Sequence, residues 1–104
     1  MTKYTLLGEK IAYCRKKLNL SKKEFAYLIK VSPSTVSKYE SGASIPSSTK
    51  LFIISLVTDM MMEDFIDETI SLEEFIAIDE KTIFELALEF NNEIKTFVSG
   101  AELM

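Results

Sequence analysis

The stretch "VSPSTVSKYESG", residues 31–42, sets hydroxyls and an amine at helical spacing. At about 100° per residue, Ser34, Ser37, Lys38 and Ser41 share one side of a helix, while Val36, Tyr39 and Glu40 share the other. The first side is poor core material. It can instead hydrogen-bond: hydroxyls donate and accept at short range, and a lysine brings charged donors on a long stem. Covalent chemistry finds little support. The chain has no histidine and one cysteine, Cys14, which excludes Ser–His–Asp and Cys–His nucleophiles. A transition-metal site would rest on carboxylates and one thiol, so neither metal nor cofactor is expected. Cys14 reads as a small hydrophobe on the apolar side of a helix. The acidic pairs Glu73/Glu74 and Asp79/Glu80 have no base, nucleophile or phosphate loop to join them. An enzyme is not expected.

The polar ridge needs elements that position it. Ser32 is a suitable N-cap, and Pro33 suits the first helical position, where no amide donor is needed. Val31 and Val36 stand at the two positions of a hydrophobic staple, and Gly42 is placed to close the helix in a left-handed conformation. The preceding helix repeats this grammar. Ser21 and Glu24 form a capping box, and Leu20 and Phe25 a staple. Before that, Ile11, Cys14, Arg15 and Leu18 make one helical stripe. "SGASIPSS" is a loop, since Pro46 discourages helix at Ile45. A fourth helix follows with Leu51, Phe52, Ile53, Ile54, Leu56 and Val57. It has almost no polar side, so it is expected to be covered on more than one face.

The chain of 104 residues suits one compact domain, or one small domain with an appendage. No apolar run approaches the roughly 18–20 residues needed to span a bilayer, and the N-terminus lacks a signal peptide's apolar core. A cytoplasmic protein is expected. The net charge of −4 hides a split: residues 1–58 carry +7 and residues 59–104 carry −11. The basic half points toward nucleic acid, against the average. The acidic half is rich in apolar residues and reads as ordered. Ser71 and Glu74 form another possible capping box, and "FIAI" fits either strand or helix. A longer helix is expected from about Asp79 to Val98, capped by Asp79. Ile83, Phe90 and Phe97 repeat every seven residues with Ala87 and Ile94 between them, a short coiled-coil seam.

Counting from Lys22, Ala26 falls at the fifth position and Val36 at the fifteenth. Two short helices joined by a tight turn near Lys30 and Val31 need a small side chain where their backbones approach. They also need an apolar anchor on the second helix. Phe25, Ala26, Val31, Val36 and Gly42 are the expected framework. "LSKKEFA", "VSPSTVSKYESG" and the proline that follows stand in the order of a known pattern. Over about residues 6–60 the chain resembles the helix-turn-helix of the Cro/phage-repressor type, the xenobiotic-response-element family of bacterial and phage regulators.

The resemblance implies an all-α fold: a five-helix repressor-like DNA-binding domain, taken as residues 1–68, then a short, mainly helical acidic segment, 69–104. It implies a sequence-specific transcriptional regulator with the helix at 32–41 in the major groove of double-stranded DNA. By match to the family, Pro33, Ser34 and Lys38 face the bases, with Thr35 and Ser37 as further candidates. Arg15 and Glu40 stand where members join the first helix to the third. For phosphates, Lys22 and Lys23 sit at a helix N-terminus, where amides favour anions. Ser41, Ser47, Ser48 and Lys50 flank the neighbouring loop. Lys3, Lys10 and Lys17 read as solvated charges.

Three departures from the family pattern matter. Lys22 replaces a common glutamine, Lys30 a common glycine, and "GASIP" lacks the usual basic residues. Together they imply weak, salt-sensitive binding by one subunit. A homodimer would compensate, with Ile53, Leu56, Ile83, Phe90, Ile94 and Phe97 as candidate contacts. The same aromatic stripe could instead be intramolecular core. The competing reading is an antitoxin-like or antirepressor-like module whose acidic segment grips a protein partner.

Overall fold

The computed structural model describes residues 4–102, except for the side chains at 82–84, 86 and 92–102. Six helices follow one another: α1 (Thr5–Lys17), α2 (Lys22–Ile29), α3 (Pro33–Ser41), α4 (Ser48–Thr58), α5 (Met62–Ile66) and α6 (Leu72–Glu102). The fold is all-α, with no strand among the described residues.

Local chemistry starts and stops the middle helices. Ser21, Ser32 and Ser47 each accept a hydrogen bond from the backbone three residues on, at Glu24, Thr35 and Lys50. The Glu24 carboxylate in turn accepts from the Ser21 amide at 2.9 Å, which completes a capping box and holds the Glu24 pKa below the usual carboxylate value. Gly42 ends α3 with φ 80°. Lys30 and Asp59 do the same for α2 and α4 with φ 62° and 57°, although neither is glycine. That region crowds a Cβ and is costly for most residues.

Ile11, Phe25, Ala26, Ile29, Val36, Ile54, Phe65 and Phe75 form the centre of one shared core. Leu20 and Val31 pack against its edge beside Phe25 and Val36, as staples do. Cys14 is buried, and desolvation pushes its thiol up to about 12, so it is protonated and unreactive near neutral pH. Gly8 marks the closest approach of two backbones. A Cβ there would lie 2.4 Å from the Tyr39 carbonyl oxygen and 2.5 Å from that of Glu40.

Several features differ from the sequence reading. The last helix begins at Leu72, not near Asp79. Ser71 supplies the cap, its Oγ accepting from the Glu74 amide at 3.1 Å, and "FIAI" is helical. Asp79 lies within that helix, where it accepts from the Tyr13 hydroxyl at 3.1 Å and pairs with Lys17. Phe75 reaches back into the core from beyond residue 68 and meets the Tyr13 ring edge-on. On the fourth helix, Phe52 and Leu56 are 53% and 66% exposed within the single chain. Lys10, read as a solvated charge, is fully buried. Lys3 lies outside the described residues.

Two substitutions test this geometry. Ala would improve helix propensity at position 8 by about 1 kcal/mol, but the carbonyls it meets belong to backbone and cannot rotate away. Gly8→Ala is expected to lower stability by about 1–3 kcal/mol, read from the midpoint of urea denaturation. Lys30→Gly is expected to raise it by about 0.5–1 kcal/mol, because the left-handed conformation then carries no Cβ penalty.

Candidate nucleic-acid interface

The outer side of α3 is a polar ridge. Pro33, Ser34, Lys38 and Ser41 are exposed, and Thr35 and Ser37 are partly so. The Ser32 hydroxyl lies 3.2 Å from that of Ser34 and 2.8 Å from that of Thr35, so the N-terminal end of the ridge is a hydroxyl network. Lys22, at the first position of α2, donates to the Ser37 hydroxyl at 3.2 Å. That contact puts the start of α2 and the middle of α3 on one surface. Lys38 and Lys23 are exposed, and their side-chain amines have no hydrogen-bond or ion-pair partner among the described residues. At the far end, Ser41 donates to the Lys38 carbonyl at 3.2 Å and accepts from the Ala43 amide.

The loop side is arranged differently. Ser47 is the N-cap of α4, and Ser48 is exposed in its first turn. The ammonium of Lys50 turns away from that end and donates at 3.0 Å to each of the Ile29 and Lys30 carbonyls. It thus caps the carboxyl end of α2, where a cation suits the helix dipole. The sequence offered no signal for this contact, because it depends on where α4 crosses the end of α2. Of the six residues assigned to phosphate, Lys22, Lys23, Ser41, Ser47 and Ser48 present exposed positions. Lys50 is half-buried and occupied within the fold.

Behind the ridge, Arg15 and Glu40 join α1 to α3. Nε meets Oε2 at 2.6 Å and Nη2 meets Oε1 at 3.1 Å, while Nη1 donates to the Leu20 carbonyl at 2.8 Å. Both side chains are about nine-tenths buried. The hydrogen bonding of the guanidinium to the Glu40 carboxylate is the main cause of the raised Arg15 pKa. Forked pairing fixes direction as well as distance, which a single-point contact would not.

Of the candidate subunit contacts, Leu56 is exposed and Ile53 packs partly against the core. Phe90 on α6 is 63% exposed. The side chains of Ile83, Ile94 and Phe97 lie outside the described residues. Among the described residues no group of three carboxylates or thiols is placed to hold a metal ion.

Two short helices in tandem, a small residue at Ala26, an apolar anchor at Val36 and a polar outer ridge define a helix-turn-helix of the Cro/phage-repressor type. Residues 11–60 match the helix-turn-helix family. The chain is similar to the HTH-type transcriptional regulator DicA of Escherichia coli (strain K12), with 39% identity over 56 residues. The match covers 54% of this chain and 42% of DicA, so the chain spans less than half the length of that curated relative. In fold it is similar to the P22 c2 repressor protein, solved in complex with a synthetic operator. That likeness has a TM-score of 0.58 and 24% identity, and covers 60% of this chain and 94% of the other. A chain of the SinR/SinI protein complex matches with a TM-score of 0.56 and 25% identity, covering 86% of this chain and 98% of its own length.

The ion pair makes a clear test. Glu40→Leu leaves a guanidinium buried without its partner and is expected to cost about 3 kcal/mol in equilibrium unfolding. Arg15→Met combined with Glu40→Leu is expected to recover a large part of that loss, because no charge is then stranded.

Proposed function

We propose that the protein is a DNA-binding transcriptional regulator, acting in the cytoplasm as a homodimer. Each subunit sets α3 into the major groove of double-stranded DNA. One observation carries this reading: an unpaired lysine and a run of hydroxyls occupy the exposed side of α3, and Lys22 is drawn alongside them. The major groove is about 12 Å wide and accepts such a helix. Lys38 reaches guanine O6/N7 or a phosphate, Ser34, Thr35 and Ser37 bond base edges, and Pro33 offers apolar contact. Lys22 and Lys23 neutralise phosphates beside the amides of α2, with Ser41, Ser47 and Ser48 as neutral donors. Likeness to DicA and to the P22 c2 repressor supports the same reading.

Segment 69–104 joins the two subunits in this reading. Leu88 and Phe90 expose apolar surface on α6, and the seam through Ile83, Phe90, Ile94 and Phe97 continues along it. Ile53 and Leu56 on α4 add a second apolar contact. Two reading helices then lie about one turn of DNA apart, roughly 34 Å. A second reading draws on the same exposed residues. Leu88 and Phe90 stand among Glu80, Glu85 and Glu89, a surface suited to a basic protein partner, as in an antitoxin-like or antirepressor-like module.

Selection of bound fragments from random double-stranded DNA, together with a solution mass, separates the two. A palindromic preferred site and a two-chain mass are expected. Lys38→Glu is expected to abolish the preference, and Lys23→Ala to reduce the salt slope of binding by about 0.9. Unchanged DNA affinity in Lys38→Glu, with a protein partner recovered through α6, would support the interaction module instead.

A further inference from the structure

Lys10 carries its amine inside a core. Its exposure is zero, and the hydrophobic residues around it include Ile11 and Phe65. An ammonium without partners in such a place is strongly unfavourable. Lys10 is instead saturated. Its Nζ donates to the carbonyls of Asp64 at 2.8 Å and Asp67 at 3.1 Å, and lies 3.5 Å from that of Phe65. It also stands 5.4 Å from the centre of the Phe75 ring. Burial lowers its pKa, and the carboxylates of Asp67, Asp64 and Glu74 oppose that shift.

All of these partners belong to one place. Asp64 and Phe65 are in α5, Asp67 is its C-cap, and Phe75 lies in the first turn of α6. A helix of five residues is far too short to persist by itself. Its final carbonyls lack intrahelical partners, and its dipole favours a cation there. Lys10 supplies both needs from α1, more than fifty residues away in sequence. Phe75 adds an apolar contact with Tyr13 in the core, but the ion pair between α6 and α1 is more exposed. The Lys17–Asp79 pair has side chains 36% and 15% exposed. Exposed pairs of this kind contribute little.

We propose that Lys10 is the anchor that fixes α5 and the root of α6 to the helix-turn-helix body, and so sets where α6 leaves it. Removing the ammonium frees residues 62–79 as a unit while α1 to α4 stay folded. The inference stands apart from the DNA-binding reading, since no step in its test uses DNA.

Lys10→Met keeps an unbranched apolar stem of nearly the same length and removes the amine. Amide hydrogen exchange is measured on the full chain. Residues 62–79 are expected to exchange at least about tenfold faster than in the wild type, with α2 and α3 within about twofold. Unchanged exchange over 62–79, or equal acceleration through α1 to α4, overturns the proposal. Should Lys10→Met fail to fold, amine labelling of the wild-type chain gives the answer. Lys10 is expected to be modified at the rate at which 62–79 open, slower than Lys16 and faster than global unfolding. Modification only on global unfolding, or as fast as Lys16, overturns it.

Discussion

The carboxyl end of α3 is gripped by α1, and the reading surface depends on that grip. Gly8 lets the backbone of α1 come against the carbonyls of Tyr39 and Glu40. Arg15, two turns further along α1, forks onto the Glu40 carboxylate. One contact sets how near the helices lie, and the other sets their rotation. Val36 and Tyr39 fill the space between them. With the inner side of α3 held so firmly, its outer side can be built from small, weakly packing residues without loss of order. Stability and recognition are thereby divided between two faces of a nine-residue helix.

Much of this half was legible because its signals are local. Serine caps, the capping box at Ser21 and Glu24, the staples and Gly42 all act within five residues, so their chemistry survives in the bare string. Contacts across long separations left no such trace. Nothing near Lys10 marks it as buried, because its partners come from residues 64–75. Lys50 resembles any basic residue at a helix start until the end of α2 is placed beside it. Gly8 sits inside a helical pattern where its missing side chain has no local purpose. At Asp79 the local rule itself misled: a good capping residue stood inside a helix that Ser71 had already begun. Asp79 serves a tertiary role there, receiving Tyr13 and Lys17.

The charge split also gains a physical meaning. The acidic half is not uniformly a solvent-facing surplus. Asp64, Asp67 and Glu74 act on the buried Lys10, and Asp79 pairs with Lys17 at the edge. Lys22, Lys23 and Lys38 are exposed, and Lys22 lies beside Ser37 of α3. Intramolecular pairing thus draws some basic residues inward to α5 and α6 and leaves a different set at the ridge. Net charge alone, at −4, would hide both populations.

The last helix has 31 residues, and its contacts with the body include those of Phe75 and Asp79 near one end. At 1.5 Å per residue, roughly 35 Å of rod extends past Asp79. Such a rod multiplies small angles. A tilt of about 10° at its base sweeps the tip through roughly 6 Å, close to two base-pair steps of duplex DNA. Mutations in the pivot could thus retune a distance measured far from any of the atoms they change.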